Sequence, residues 1–363
     1  MRFPEFSGEW EIARLGDVCK FFSGGTPSST NKDFYDGDIP FIRSGEIHSN
    51  STELYITEAG LNSSSAKIVE QGDLLLALYG ATSGDIAISK IKGAINQAVL
   101  CIRTNHDNFF LKSCWERHCE KLLQTYLQGG QGNLSAEIVK SIKMSFPSYL
   151  EQKKISGLLS LIEERISTQK KIIEKYESLI RGIYQFLFQQ AKYDHFVSLG
   201  DISQISNGNS DVKDASMYND GSLYPFFDRS DEIKFLPEYL FDKEAIIYPG
   251  EGAEFYPRYY NGKFALHQRC YAVYDISTDF IPRYLYHYCR TQNSYFVRNA
   301  VGSTVASLRL DTFKRLKIPA IPTHHQESLV MFLDKIEAKI ECNRTILKKY
   351  EEQKKYLLFT LFI

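Results

Sequence analysis

The chain has little that would let it do chemistry alone. No GxxxxGK[ST] loop occurs in its 363 residues, which removes the usual cradle for ATP phosphates. No CxxC pair occurs either. The seven cysteines are scattered, and the closest two, Cys114 and Cys119, have the wrong spacing for a zinc knuckle and no matched second pair. Reduced thiols in a cytoplasm are the natural reading. The eight histidines form no metal-ligand pattern, and His324-His325 reads as a solvated helix start. The Tyr79–Gly84 stretch is glycine-rich, but a lone glycine turn after a strand reads as a tight turn. No apolar run approaches the ~20 residues of a membrane helix, and MRFPEFSGEW holds no apolar signal core. The expectation is a cytoplasmic chain with no membrane contact, no catalytic residues, and no metal or cofactor of its own. A net charge of −1 argues against a histone-like basic binder without excluding local basic surfaces. What is present is core material: 43% hydrophobic residues, with 13% aromatics, exclude general disorder.

The strongest positive signal is a repeat. Residues 150–190 and 324–363 are two copies of one amphipathic helix. In the first, heptad rows run through Ile155, Ile162, Gln169, Tyr176 and Ile183, and through Leu159, Ile166, Ile173, Ile180 and Leu187. A constant shift of 174 carries them onto Leu329, Ile336, Asn343, Tyr350 and Leu357, and onto Leu333, Ile340, Leu347, Lys354 and Leu361. Apolar residues every 3.5 positions make a seam that must bury against a partner helix, and two matching seams in one chain predict that they bury against each other. Each helix of ~40 residues would be ~60 Å long. Gln169 and Asn343 are polar residues at equivalent positions near mid-helix in these rows, placed either to set helix register in an antiparallel pair or to face solvent at a loosened seam. The apolar ends, Tyr184–Phe188 and Leu357–Phe362, are too hydrophobic for solvent and need cover.

Each helix follows a domain of similar pattern. The organisation reads as 1–147, a long helix over 148–192, 193–322, and a second long helix over 323–363. In the first domain, strand-like runs (Ile39–Ile42, Asp73–Tyr79, Ile86–Ser89, Ala98–Ile102) are separated by Gly, Ser, Thr and Asn clusters, and helical spacing runs from Phe109 to Tyr126. The domains align in pieces. Leu15-Gly16-Asp17 matches Leu199-Gly200-Asp201. Pro40 to Ile47 matches Pro225 to Ile233 with Asp228 inserted, and Gly93–Gln97 matches Gly262–Gln268 with two extra residues. The loop Gly129–Ser135 sits where Gly302–Leu308 sits. Similar frames with different loops predict two related surfaces of different specificity.

These pieces carry a family resemblance. Gly8 and Trp10 followed by Leu15-Gly16-Asp17, Ile39–Arg43, Gly72–Leu75, the Asn96-Gln97 pair, and a glycine-polar loop leading through Pro147 or Pro319 and Pro322 into a helix bearing Gln152 or Gln326 resemble the specificity subunit of a type I restriction-modification system. The resemblance covers the whole chain. It departs from internal symmetry where Trp10 has no counterpart in the second half, and where Tyr256-Pro257 replaces Ser83-Gly84. It implies a mixed α/β (α+β) fold: two similar target recognition domains joined by two long antiparallel coiled-coil helices. It implies a non-catalytic, sequence-specific binder of a bipartite site in double-stranded DNA, acting in host defence. The implied partners are two modification (methyltransferase) subunits and restriction subunits. S-adenosylmethionine, ATP and magnesium would belong to those partners. No Asn-Pro-Pro-Tyr-like tetrapeptide, the mark of an adenine methyltransferase, occurs in the chain. The alternative reading is a structural scaffold with two protein-binding domains. A third reading, a nucleic-acid-modifying enzyme with an unrecognised site, predicts methylation by the isolated chain.

DNA reading needs donors for phosphates and polar side chains on loops for base edges. Arg43-Ser44 and Arg229-Ser230 fall at the same place in the two repeats. Each arginine is either a DNA contact, one per half-site, or a surface ion pair with Glu46 or Glu232. Gln97 and Gln268 repeat as well, either as DNA contacts or as structural amides. Gln131, Asn133, Ser303 and Thr304, on flexible polar loops beside the long helices, complete the candidate set. Lys32, Lys67, Arg258 and Lys263 are further cations for phosphates or for plain solvation.

Overall fold

The structure, a computed structural model, describes residues 2–126, 134–190 and 193–362; in helix 108–126 and the turns that follow 184, only side chains through 118 and 188 are described. The chain divides into two compact units. The first holds Met1–Lys170 and Ile346–Ile363, and the second holds Lys171–Thr345. Four helices carry the argument: α1 (Asn108–Tyr126), α2 (Tyr149–Tyr184, continued by π-helical turns through Gln190), α3 (Pro282–Arg290) and α4 (Thr323–Leu361). The beginning of α2 and the end of α4 belong to the first unit, and the remainders belong to the second.

In the first unit, two four-stranded sheets lie beside a two-stranded antiparallel pair of Glu11–Arg14 and Lys143–Phe146. One sheet orders Cys19–Ser23, Val99–Thr104, Leu74–Ala77 and Ile86–Ile88, and the other Tyr55–Ile56, Tyr35–Ile42, Gly93–Ile95 and Lys67–Val69. Leu74–Ala77 is buried throughout, so it carries no polar alternation. In the second unit a six-stranded sheet, beside a two-stranded pair of Phe196–Ser198 and Lys317–Pro319, orders Gln204–Asn207, Tyr271–Tyr274, Phe241–Tyr248, Arg258–Leu266, Tyr224–Phe227 and Lys234–Leu236. The repeat is visible in register. Phe41 and Ile42 pair in parallel with Ala94 and Ile95, as Phe226 and Phe227 pair with Ala265 and Leu266. The paired Leu-Gly-Asp turns are equivalent too. Leu15 N–H donates to Ile142 O at 2.9 Å, and Leu199 N–H donates to Leu316 O at 2.8 Å.

The long helices pair antiparallel within each unit. In the first, Glu163 meets Lys354 at 2.7 Å and Lys170 meets Glu351 at 3.4 Å; as numbering rises along α2 it falls along α4. In the second, Glu177 meets Arg344 at 2.7 Å and Tyr184 meets Glu337 at 3.3 Å. Ile155, Leu159 and Ile162 with Leu357, Leu361 and Phe362 complete the core of the first unit, where Phe362 packs among Trp10 and Phe110. Phe188 packs on Tyr284 and Tyr288 in the second. The apolar ends thus find cover on globular units, while Phe186 and Phe359 remain exposed. Gln169 and Asn343 are each largely buried, at 7% and 9% exposure.

One residue type explains how each domain grips its helix. Gln152 and Gln326 are 1% and 0% exposed. Gln152 accepts from Asp107 N–H at 3.0 Å and donates to Pro147 O at 2.9 Å. Gln326 accepts from Ile281 N–H at 2.8 Å and donates to Asp279 O and Ile321 O, both at 2.9 Å. Each amide therefore caps the start of a domain helix and the turn into a long helix at once, satisfying backbone groups that burial would otherwise strand. The same shift of 174 that relates the long helices relates these amides.

Among the described residues, Cys19, Cys101, Cys114, Cys270 and Cys289 are buried free thiols and Cys342 is exposed. Burial pushes Cys101 up to about 12 and Cys270 up to about 11, so neither supplies a thiolate at neutral pH. No helix among the described residues is long and apolar enough to cross a membrane.

Candidate nucleic-acid interface

The two repeats build the same platform and finish it differently. The loop after the first strand of each sheet crosses the end of the parallel strand pair at a glycine. A Cβ on Gly24 would lie 1.7 Å from Ile95 O, and one on Gly208 would lie 1.9 Å from Leu266 O, so only glycine permits the crossing. Above that crossing sit the repeated glutamines. Both are exposed, which removes the buried-amide reading. Gln97 Oε1 accepts from Thr26 Oγ1 at 2.6 Å, whereas Gln268 Nε2 donates to Asp211 Oδ2 at 3.5 Å.

The repeated arginines differ more. Arg43 opens the turn Ser44–Glu46, and its guanidinium is taken by Glu46 at 2.9 and 3.1 Å and by Glu53 at 2.5 Å. The Glu46 hydrogen bond, then that of Glu53, raises the Arg43 pKa. Burial pushes Glu46 up, but hydrogen bonds from Arg43 and two backbone N–H groups hold it below its ordinary value. The geometry is the ion pair with Glu46, extended by Glu53. Arg229 is exposed and makes no hydrogen bond or ion pair among the described residues. Here the inserted Asp228 takes the structural role. It accepts from Ser230 N–H at 2.8 Å, from Ser230 Oγ at 2.6 Å and from Lys234 Nζ at 2.5 Å. Arg258 donates to the carbonyls of Asp228 and Ser230, the residues on either side of Arg229. Arg258 is thus a structural clamp here rather than a free phosphate anchor.

Arg229 and Gln268 line one cup of about 280 Å³ with Asp211, Asp228, Glu251 and Arg269. Arg269 is occupied by Glu251 at 2.9 and 3.0 Å. Glu251 bridges to Ser307, which closes the loop carrying Ser303 and Thr304 through paired bonds with Val301 at 2.8 and 2.9 Å. Ser303 and Thr304 are exposed at its tip. The second unit therefore brings Arg229, Ser230, Gln268 and this loop to one rim. In the first unit Arg43, Ser44 and Gln97 are described, whereas Gln131 and Asn133 lie outside the described residues.

A second polar cluster was not anticipated. His287, wholly buried on α3, makes a 2.8 Å bond between Nε2 and Asp334 and another between Nδ1 and the Tyr184 hydroxyl. Arg283 donates to Asp334 at 3.1 Å and to Glu337 at 3.2 Å, and Arg290 also pairs with Glu337. His287, Asp334 and Glu337 have ligand atoms within 4.8 Å of one another, a spacing compatible with a metal. The two guanidiniums already neutralise both carboxylates, so the group serves as an internal clasp of α2, α3 and α4. The shift of 174 places Glu337 on Glu163, which the first unit neutralises with Lys112 at 2.6 Å and Lys354 at 2.7 Å. Extending that shift from the long helices into α1 and α3 was the available signal.

The clasp predicts acid sensitivity. Burial holds His287 below its ordinary 6.5, against the pull of Glu337 and Asp334. For Asp334, burial pushes up but Arg283 and His287 outweigh it and hold the carboxylate below its ordinary 3.8. In both cases the unfolded chain binds more protons, so the stabilisation is complete above pH 6.5 and is lost on acidification, first through His287 and then through Asp334. Urea midpoints should fall from pH 7.5 to 5.5 and again toward pH 3, and His287→Gln should flatten the upper limb. A midpoint constant over that range would remove the clasp as a stabilising element.

The comparisons bear on the family and the fold. The profile of the type I restriction modification DNA specificity domain matches residues 7–178 and 193–352. The type I restriction enzyme MjaIX specificity subunit of Methanocaldococcus jannaschii is 26% identical over 248 residues, covering 60% of this chain and 57% of that protein. The EcoR124I/EcoR124II specificity subunit of Escherichia coli is 24% identical over 216 residues, covering 55% and 49%. The chain thus spans about half the length of the curated relatives it matches. The crystal structure of a type I restriction-modification S subunit from M. genitalium superposes with a TM-score of 0.70 at 14% identity, covering 100% of this chain and 99% of that one, which shows the same fold. With the family profile found twice, once over each long helix and the domain before it, the chain belongs to the family of type I restriction-modification DNA specificity domains.

Proposed function

We propose that this chain is the DNA-reading specificity subunit of a type I restriction-modification complex in the cytoplasm. Each domain reads one half of a bipartite duplex site, and the long helices set the separation and dock two modification subunits, with restriction subunits joining them. Methyl transfer from S-adenosylmethionine and ATP- and magnesium-dependent cleavage belong to those partners. One observation carries the reading: two domains share a platform, down to the glycine crossings at Gly24 and Gly208, yet present different polar groups above it. A repeated frame with divergent rims suits two half-sites of unlike sequence. Contacts are assigned to Ser44, Gln97, Gln131 and Asn133 on the first domain. On the second they fall to Arg229, Ser230, Gln268, Ser303 and Thr304. Arg43 shapes the turn that presents Ser44.

Co-expression with a modification subunit, followed by sequencing of methylated adenines in host DNA, tests this. A bipartite methylated motif that disappears without the chain is expected, together with duplex binding that weakens steeply with salt. No motif and no salt-sensitive binding would favour a protein scaffold. Gln169 and Asn343 enter the proposal as register-setting amides. A double-mutant cycle to alanine is expected to give a coupling of about 0.5–1.5 kcal/mol in urea unfolding, and strict additivity would sink that role.

A further inference from the structure

Arg229 combines a free guanidinium with a fixed backbone. The carbonyls on both sides of it are held by Arg258, and Asp228 is pinned by Ser230 and Lys234. Such an arrangement spends nothing on internal ion pairing and loses little freedom on binding. Across the cup, Gln268 is fixed in the same way. Its N–H donates to Ser210 O at 3.0 Å, and its carbonyl accepts from Asn207 Nδ2 at 3.3 Å. Gln268 Nε2 lies 3.5 Å from Asp211 Oδ2, and because a carboxylate accepts but cannot donate, this contact selects the amide orientation that leaves Oε1 as an acceptor. The cup therefore offers a planar two-pronged donor and, beside it, one acceptor.

In the major groove a G·C pair presents the complement: two acceptors, O6 and N7, on guanine and one donor, N4, on cytosine. An A·T pair puts donor and acceptor on adenine and an acceptor on thymine, which leaves one prong of the arginine facing a donor. We propose that the Arg229–Gln268 cup reads a G·C pair in the half-site of the second domain, with Arg229 on guanine and the Asp211-oriented Gln268 on cytosine. The first domain does not repeat this contact, because Glu46 and Glu53 already hold Arg43. The two halves of the repeat thus diverge at the very arginine they share.

This inference rests on the proposed function, and one experiment separates the two. The intact chain and its Arg229→Ala, Arg229→Lys, Asp211→Asn and Arg43→Ala variants are each co-expressed with a modification subunit, and methylated motifs are compared. The wild-type motif should contain a G·C pair that becomes degenerate in both Arg229 variants, with preference for it falling roughly 10- to 100-fold while the other half-site is unchanged. Arg229→Lys keeps the charge at an exposed site without internal bonds, so it reads the fork and not folding. Asp211→Asn frees the Gln268 amide to turn and should relax the same pair. Arg43→Ala, in the other domain, should leave the second half-site and its G·C pair unchanged. Unchanged preference in both Arg229 variants, relaxation at an A·T pair, or loss of that same G·C pair in Arg43→Ala would each overturn the assignment while the specificity reading stands. A wild-type chain that directs no bipartite motif would bring down that reading and this one together.

Discussion

Gln326→Leu should cost the second unit about 3 kcal/mol, or roughly 6–12 °C in melting temperature for a unit of this size. The glutamine is fully buried and serves three backbone groups, one N–H and two carbonyls, none of which leucine can satisfy. Ile281 immediately precedes the proline that starts α3, and its own side chain gives no cap. The amide thus stands in for the missing N-cap and closes the turn into α4 as well. Gln326→Glu is expected to be worse at neutral pH, because a carboxylate would face two carbonyl oxygens. That excess should shrink in acid as the carboxyl protonates and regains a donor. Gln152→Leu should have a comparable effect in the first unit, where the amide serves Asp107 and Pro147 and lies 3.0 Å from His106 Nδ1. Urea unfolding of the four proteins decides the matter. A Gln326→Leu midpoint equal to that of the parent would mean that water replaces the amide and the clamp is not structural.

Much of this was legible in the sequence. The heptad rows announce α2 and α4 to within a few residues, because apolar residues recurring every 3.5 positions over such a length fall on one face of a helix and on no face of a strand. The strand-like run at Leu74–Ala77 is apolar and bounded by turn residues, and the helix from Phe109 to Tyr126 is found one residue earlier, at Asn108. What the pattern does not carry is long-range pairing. The aligned pieces suggest matching sheets, yet the second unit has one sheet of six strands and the first has two of four. The cause is local: Arg258–Leu266 runs unbroken and joins both neighbours, whereas Ser89–Lys92 interrupts the corresponding chain between Ile86–Ile88 and Gly93–Ile95. The rim was half legible. Arg43 and Arg229 look alike in sequence because their spacing to Ser and Glu is nearly preserved, but the inserted Asp228 takes over the internal bonding and frees the arginine beside it. Gln152 and Gln326 stood out as repeated; their partners, backbone groups 5 to 47 residues away, leave no trace in a side-chain pattern.

Exchanging residues 1–147 for the matching segment of a related chain should change one half of the methylated motif and leave the other half and the spacer length alone. The structure adds a condition to that expectation. The first unit closes its core over Ile155, Leu159 and Ile162 of α2 and over Leu357, Leu361 and Phe362 of α4, with Phe362 seated between Trp10 and Phe110, and Phe110 in turn against Phe146. A donor segment must supply that aromatic seat; with a small residue at position 10 or 110 the chimera should lose on the order of 3–5 kcal/mol, the usual cost of a large core truncation, before any DNA is read. Spacer length should respond only to the helices. The place to lengthen them follows from the division of the chain: one heptad inserted between Lys170 and Lys171 and another between Thr345 and Ile346 leaves the contacts within each unit untouched. Seven residues add ~10 Å of helix and preserve the seam, so the methylated motif should keep both sets of bases and gain about three base pairs between them, at ~3.4 Å per pair. An insertion of two residues, at about 100° per residue, rotates one seam by roughly half a turn and should abolish methylation instead. If the heptad insertion changed the bases read, or if the domain exchange altered both halves of the motif together, the two domains would not be independent readers, and the separation of reading from spacing would have to be given up.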